Sequence, residues 1–220
     1  MAENSKVSIP QLIFIPSVIT LAITILRLVG ELQHWPTSLF SREAGGGGSI
    51  IGITWLVPIF GIYFAIKLSG AGQGPASAGK AIGYPLLAFA VTFAGGFIGF
   101  GMEAEFPGKP VIGTLLVVAG GVIPFFAWPA LCKVLTAYGY SARIPVAILM
   151  YFAIRGQWGT HYDVLPPKFP AETGFWSTYF QIGFLPQMVF WIVFTIIVGA
   201  LFGGIAAAVA RRSSKQPQTA

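Results

Sequence analysis

Charged side chains are nearly missing from this chain. Asp, Glu, Lys and Arg make up 9% of its 220 residues, where a soluble domain carries roughly a quarter, so an ordinary water-facing surface is excluded. A single cysteine, Cys132, excludes an intrachain disulfide and a multi-cysteine metal centre. There is no HExxH and no CxxC pair, and no Ser or Cys stands in a recognised nucleophile setting. Nothing in the opening MAENSKVSIPQ reads as a removable signal, so the first apolar stretch is expected to stay as a spanning helix. The Gly-rich turn KLSGAGQGPASAGKAIGYP carries no distinctive motif and assigns no family. What fills the chain instead is apolar: 55% hydrophobic residues, with 28 Gly and 19 Phe, a composition suited to helices that pack closely and meet lipid.

Six apolar segments can be marked, at about 9–30, 49–69, 81–101, 111–132, 137–157 and 180–210. A bilayer crossing needs about 20 such residues, which the first four approach. In the fifth the purely apolar run Ile144–Ile154 is short. The sixth is over-long and is expected to open with an interfacial turn around Gln181–Pro186. Positive residues collect on the cytoplasmic side of membranes. With the N-terminus inside, six crossings place Lys6, Lys67, Lys80, Lys133, Arg143, Arg211, Arg212 and Lys215 inside with Glu3. Arg27, Arg42, Lys109, Arg155 and Lys168 then lie outside with Glu31, Glu43, Glu103, Glu105, Asp163 and Glu172. The sides carry +7 and −1, which together make the stated +6.

The expected fold is therefore all-α: one transmembrane domain over 1–220, a polytopic bundle of six helices with both termini cytoplasmic, in a bacterial inner (plasma) membrane. The basic rim suits anionic lipid and calls for no nucleic acid. Pro58 and Pro124 each precede a lysine by nine residues, Lys67 and Lys133, hinting at a hairpin repeat over 49–101 and 111–157. Small residues mark close helix approach. Gly199, Gly203 and Ala207, four apart, could serve packing within the chain, a homo-oligomer or another membrane subunit.

Within the first apolar segment stand Thr20, Thr24, Arg27, Glu31 and His34, spaced to share one helix face. An unpaired arginine is costly in lipid, so Arg27 should pair with Glu31 one turn on, as a structural clamp or as a held contact for an anion or polar headgroup. The same predicted outer side collects Glu103 and Glu105, then Arg155, His161 and Asp163, and so both histidines of the chain.

This polar cluster suits three classes of function. A noncatalytic scaffold or accessory subunit would use it to bind a partner or ligand. A transporter or channel for a small solute or lipid would place it at the mouth of a route between proline-kinked helices. A membrane-embedded hydrolase or transferase would use His161 as base with Arg27 or Arg155 on phosphate. A metal-dependent version would draw ligands from His34, His161, Glu31, Glu103 and Asp163. No cofactor is implied by any motif.

Overall fold

A computed structural model describes residues 7–167, 169, 170 and 172–213. Glu3, Lys6, Lys168 and Lys215, which enter the charge count above, lie outside the described residues. The described residues form helices and connecting loops, with no strand among them. The helices are α1 (Ile9–Leu32), α2 (Leu56–Gly70), α3 (Ala78–Gly96), α4 (Lys109–Val122), α5 (Pro129–Gly156), the single turn α6 (Phe175–Thr178) and α7 (Trp191–Ser213). A π-helical turn extends α3 over Phe97–Gly101, and a 3-10 turn extends α4 over Ile123–Phe126. Five of the helical runs are long and apolar enough to cross a membrane: Ile9–Leu32, Ala78–Gly101, Lys109–Phe126, Pro129–Gly156 and Phe175–Arg211. The shorter Leu56–Gly70 is also apolar.

Local chemistry explains where the sequence reading and the helices part. The second segment was expected to be helical from residue 49, but the helix begins only at Leu56. The fourth, expected to reach Cys132, ends at Phe126. Pro129 lacks an N–H and restricts Trp128 before it, so the chain breaks there and restarts as α5. Lys133 consequently belongs to α5 and does not close α4. Around Gln181–Pro186 the expected turn is instead wide helix, π-helical over Tyr179–Phe184 and Pro186–Phe190, joining α6 to α7.

Three helix ends are built alike. At the end of α1, Trp35 N–H bonds Gly30 C=O and His34 N–H bonds Glu31 C=O, with His34 itself left-handed at φ 54°. At the end of α5, Trp158 N–H reaches back to Ala153 C=O across Gln157, at φ 50°. At α2 the same place is held by Gly72, φ 75°. In each, a left-handed residue lets the chain turn back and satisfy the carbonyls a helix end would leave orphaned.

The chain divides into two compact units. The first holds the described residues up to Ile13, Leu56–Gly139 and those from Ile192 on. Small residues set its packing. A Cβ added at Gly113 would lie 2.4 Å from Gly99 Cα, and one at Gly61 would lie 2.5 Å from Gly199 O. Gly203 meets Leu131 and Gly61 in the same way, and Ala207 is buried. The small face of α7 is thus occupied by the chain's own helices. In this unit Lys109 is buried and donates from Nζ to Met102 C=O at 2.5 Å and to Glu105 at 2.8 Å. Glu105 is therefore a partner for Lys109, while Glu103 is exposed.

The second unit is Phe14–Trp55 with Tyr140–Trp191. Its apolar core gathers Val146, Met150, Ala153 and Tyr162, with Leu28 and Ile53 against them. Phe175 and Tyr179 each pack edge-on against Tyr151, at centroid separations of 5.3 and 5.4 Å, and stack on each other at 6.3 Å.

The left-handed position of Gln157 yields a stability test, because a side chain there carries a backbone penalty that glycine does not. In detergent-solubilised protein, Gln157→Gly is expected to raise the unfolding free energy by about 1 kcal/mol, whereas the β-branched Gln157→Val should lower it. Equal stability of all three would contradict the capping role.

Candidate functional site

The polar ladder of α1 divides into parts with different jobs. Thr20 and Thr24 turn back on their own helix: their Oγ1 atoms donate to Pro16 C=O at 2.8 Å and Thr20 C=O at 2.9 Å. These bonds reinforce the helix backbone beside Pro16. His34 leaves the ladder altogether. It caps the helix, is exposed, and contacts the Arg42 guanidinium through Nδ1.

Arg27 and Glu31 remain, and both are buried. Arg27 Nε donates to Glu31 Oε1 at 2.8 Å, and the Glu31 side chain has no solvent exposure. Burying an ionised carboxylate costs several kcal/mol unless donors replace its water. The missing donors come from the loop after α5. His161 N–H donates to Glu31 Oε2 at 2.8 Å, and His161 Nδ1 meets Oε1 at 2.5 Å. An ionised carboxylate only accepts, so the ring proton sits on Nδ1 and the Nε2 lone pair is left available.

The turn that presents His161 is built by Asp163. Its carboxylate accepts from Gly159 N–H at 2.9 Å, Thr160 N–H at 2.8 Å and Thr160 Oγ1 at 2.6 Å. Asp163 is thus engaged in holding its own turn. Arg155 is exposed and bonds Tyr151 OH at 3.1 Å. Arg155 and Asp163 border a separate hollow of about 640 Å³.

A second loop closes over Arg27. Gly30 leaves room for the Phe40 ring, which would otherwise collide with a Cβ at 2.3 Å. Seated there, the loop brings Ser41 C=O within 3.2 Å and Gly46 C=O within 3.0 Å of Arg27 Nη2. The Gly45–Gly48 run, which reads in the sequence as a flexible native stretch, has left-handed backbone at Gly45, Gly46 and Gly48. A Cβ at Gly46 would stand 2.8 Å from His161 Cδ2 and 2.9 Å from Arg27 Nη2. Glycine is therefore needed at this position on both steric and conformational grounds.

Arg27 and His161 share a cavity of about 300 Å³ lined only by residues of this unit. Its other polar residues include Arg143, Gln181, Gln187 and Tyr162, and no Asp or Glu lines it. Arg143 donates from Nη1 to Gln187 Oε1 at 3.3 Å and stacks over the Trp191 ring at 4.2 Å. Tyr162 OH reaches Thr24 C=O at 3.4 Å, and burial pushes its phenol above the ordinary range. Burial also drives the His161 imidazole below its ordinary value. Arg27 adds to that effect, and the opposing pull of Glu31 does not overcome it.

Of the residues the sequence proposed, the structure brings together Arg27, Glu31 and His161. It gives separate work to His34, Arg155 and Asp163, and it places Glu103 and Glu105 in the other unit. No group of three His, Cys, Asp or Glu side chains able to hold a metal exists among the described residues. The proposed ligand set of His34, His161, Glu31, Glu103 and Asp163 is corrected on that ground: each carboxylate but the exposed Glu103 already has its own donors. Arg143, Gln187, Tyr162 and Gly46 were missed. Arg143 is expected from the sequence either to be partly buried in the fifth segment or to snorkel to the headgroups; it is buried, with Gln187 forty-four residues later as one partner.

Removing the acceptor at the centre should be severe. Glu31→Leu is expected to cost about 3–5 kcal/mol of stability, since it strands a buried arginine, while His34→Gln should be nearly neutral. Chemical denaturation in the same detergent checks both. No known family, curated protein or solved structure matches this chain, so its function has to be read from the site itself.

Proposed function

We propose that this protein is a noncatalytic integral-membrane component whose cavity in the second unit binds a small anion carrying an apolar group. The observation that carries this reading is the wall itself, with Arg27, Arg143 and His161 on one cavity and no carboxylate lining it. Guanidinium groups match the oxygens of carboxylates, sulfonates and phosphates, and they do so more strongly where water is scarce. The two glutamine amides, Gln181 and Gln187, add neutral polar contacts, and Ile53, Val146, Met150 and Trp191 supply an apolar side. A volume of about 300 Å³ stands at the small end of ligand pockets.

Six crossings of a bacterial inner membrane with cytoplasmic termini remain the topology the charge balance favours: with Arg143 taken out of the inside count, because it lies buried in the middle of α5, the sides carry +6 and −1. That topology counts α2, helical for 15 residues, as a crossing with the apolar residues before it. It turns the end of α1 and the loop after α5 outward, so the anion would enter from that side.

One feature favours a second reading, a hydrolase or transferase. His161, fixed at Nδ1 by a buried carboxylate, has the arrangement of an oriented general base. Such an enzyme would consume its ligand, whereas a binding component returns it unchanged, so recovery of the probe separates the two.

The test is calorimetric titration of the protein in lipid nanodiscs with hexanesulfonate, an anion with a short apolar tail. Saturable binding is expected, weakened at least about tenfold by Arg143→Gln and less by Arg143→Lys. Hexyltrimethylammonium, with the same tail and opposite charge, should not bind. Failure of the sulfonate to bind, or equal binding of the two probes, would overturn the reading.

A further inference from the structure

His161 is the one histidine on the cavity wall, and it is held with its reactive edge uncommitted. His161 makes its ring hydrogen bond through Nδ1 to Glu31. Nε2 makes none to a described residue, and the nearest loop offers only glycine beside it, where a Cβ would stand 3.3 Å away. The charged and titratable groups around this imidazole can be named by element. From α1 come Glu31 and Arg27, and from α5, on the same cavity wall, comes Arg143. From its own loop come Tyr162 and Asp163, and the Gly45–Gly48 run brings none.

Resting on the anion-binding reading above, we infer that the anion binds together with one proton, which His161 accepts on Nε2. The proton comes from bulk solvent and forms an N–H bond, and no bond in the ligand changes. The reason is electrostatic. Loss of water on burial, and after it the guanidinium of Arg27, oppose a second cation beside Arg27 and together outweigh the attraction of Glu31. A bound anion offsets the guanidinium charge at short range. The Glu31 carboxylate then has a cationic partner to stabilise, and the imidazolium N–H on the uncommitted edge becomes a further donor to the anion. Coupling of this kind is reciprocal: if the anion favours the proton, the proton favours the anion by the same factor.

The composition makes the test clean, because the chain has two histidines and His34 is engaged elsewhere. Hexanesulfonate does not itself titrate between pH 5.5 and 7.5, roughly the range in which imidazole does. Calorimetric titrations in two buffers of different ionisation enthalpy report the protons taken up on binding. Wild-type protein and His34→Gln are expected to take up a fraction of one proton per site. Their affinity should rise as the pH is lowered, by at most about tenfold per pH unit, the limit for one linked proton. His161→Gln should bind with no proton uptake and a flat pH profile.

If the sulfonate does not bind at all, the underlying anion reading fails. If it binds without proton uptake in the wild type, or with undiminished uptake in His161→Gln, this inference fails while that reading stands. Should His161→Gln not fold, histidine-labelled wild-type protein supplies the same answer by NMR. Hexanesulfonate near pH 6.5 should convert one of the two imidazoles towards imidazolium, and no change at either would overturn the proposal.

Discussion

The second unit depends on one carboxylate. Glu31 sits without solvent exposure on a helix otherwise built for lipid, and an isolated anion there would be too costly to keep. It is held because three donors from two parts of the chain converge on it: Nε of Arg27 from its own helix, and the backbone N–H and ring Nδ1 of His161 from the loop after α5. Each donor fixes something else in turn. Arg27 draws the carbonyls of Ser41 and Gly46 over the site, and His161 is aimed by a turn that Asp163 closes. The two loops therefore obtain their positions from the same buried charge.

This arrangement also accounts for the character of the cavity. Because Glu31 is used up by Arg27 and His161 and does not itself line the space, the wall presents cations and amides with no acid to oppose them. Arg143, stacked on Trp191 and bonded to Gln187, is oriented by contacts that do not need a carboxylate. The chemistry that stabilises the loops is thus the chemistry on which the proposed anion binding rests. In that proposal the imidazole between them is the element whose charge would follow the ligand.

Much of this was legible in the sequence. Hydropathy marked the helical segments, and the four-residue step from Arg27 to Glu31 marks a candidate ion pair in the sequence, though not its burial. The boundaries were less legible where proline and hydropathy disagree: the apolar run 111–132 reads as continuous, yet Pro129 divides it at Trp128. At the site, helical spacing placed His34 on the ladder because a helix pattern does not announce its own end. The Schellman-type turn at His34 takes that residue out of the row. Conversely, the partnership of Glu31 with His161 spans 130 residues, and that of Arg143 with Gln187 spans 44, separations at which no local pattern operates. Within the glycine run at 45–48, Gly46 is the position with no room for a side chain, and no local pattern singles it out from its neighbours.

The most direct test of the account is a double-mutant cycle on Glu31→Gln and His161→Asn, read as unfolding free energies in detergent. If the carboxylate and the imidazole hold the unit together through each other, the two changes should be non-additive, with a coupling energy of about 1–3 kcal/mol. Additivity within about 0.5 kcal/mol would mean that the pair is adjacent without being interdependent, and would contradict the claim that this buried charge organises the site.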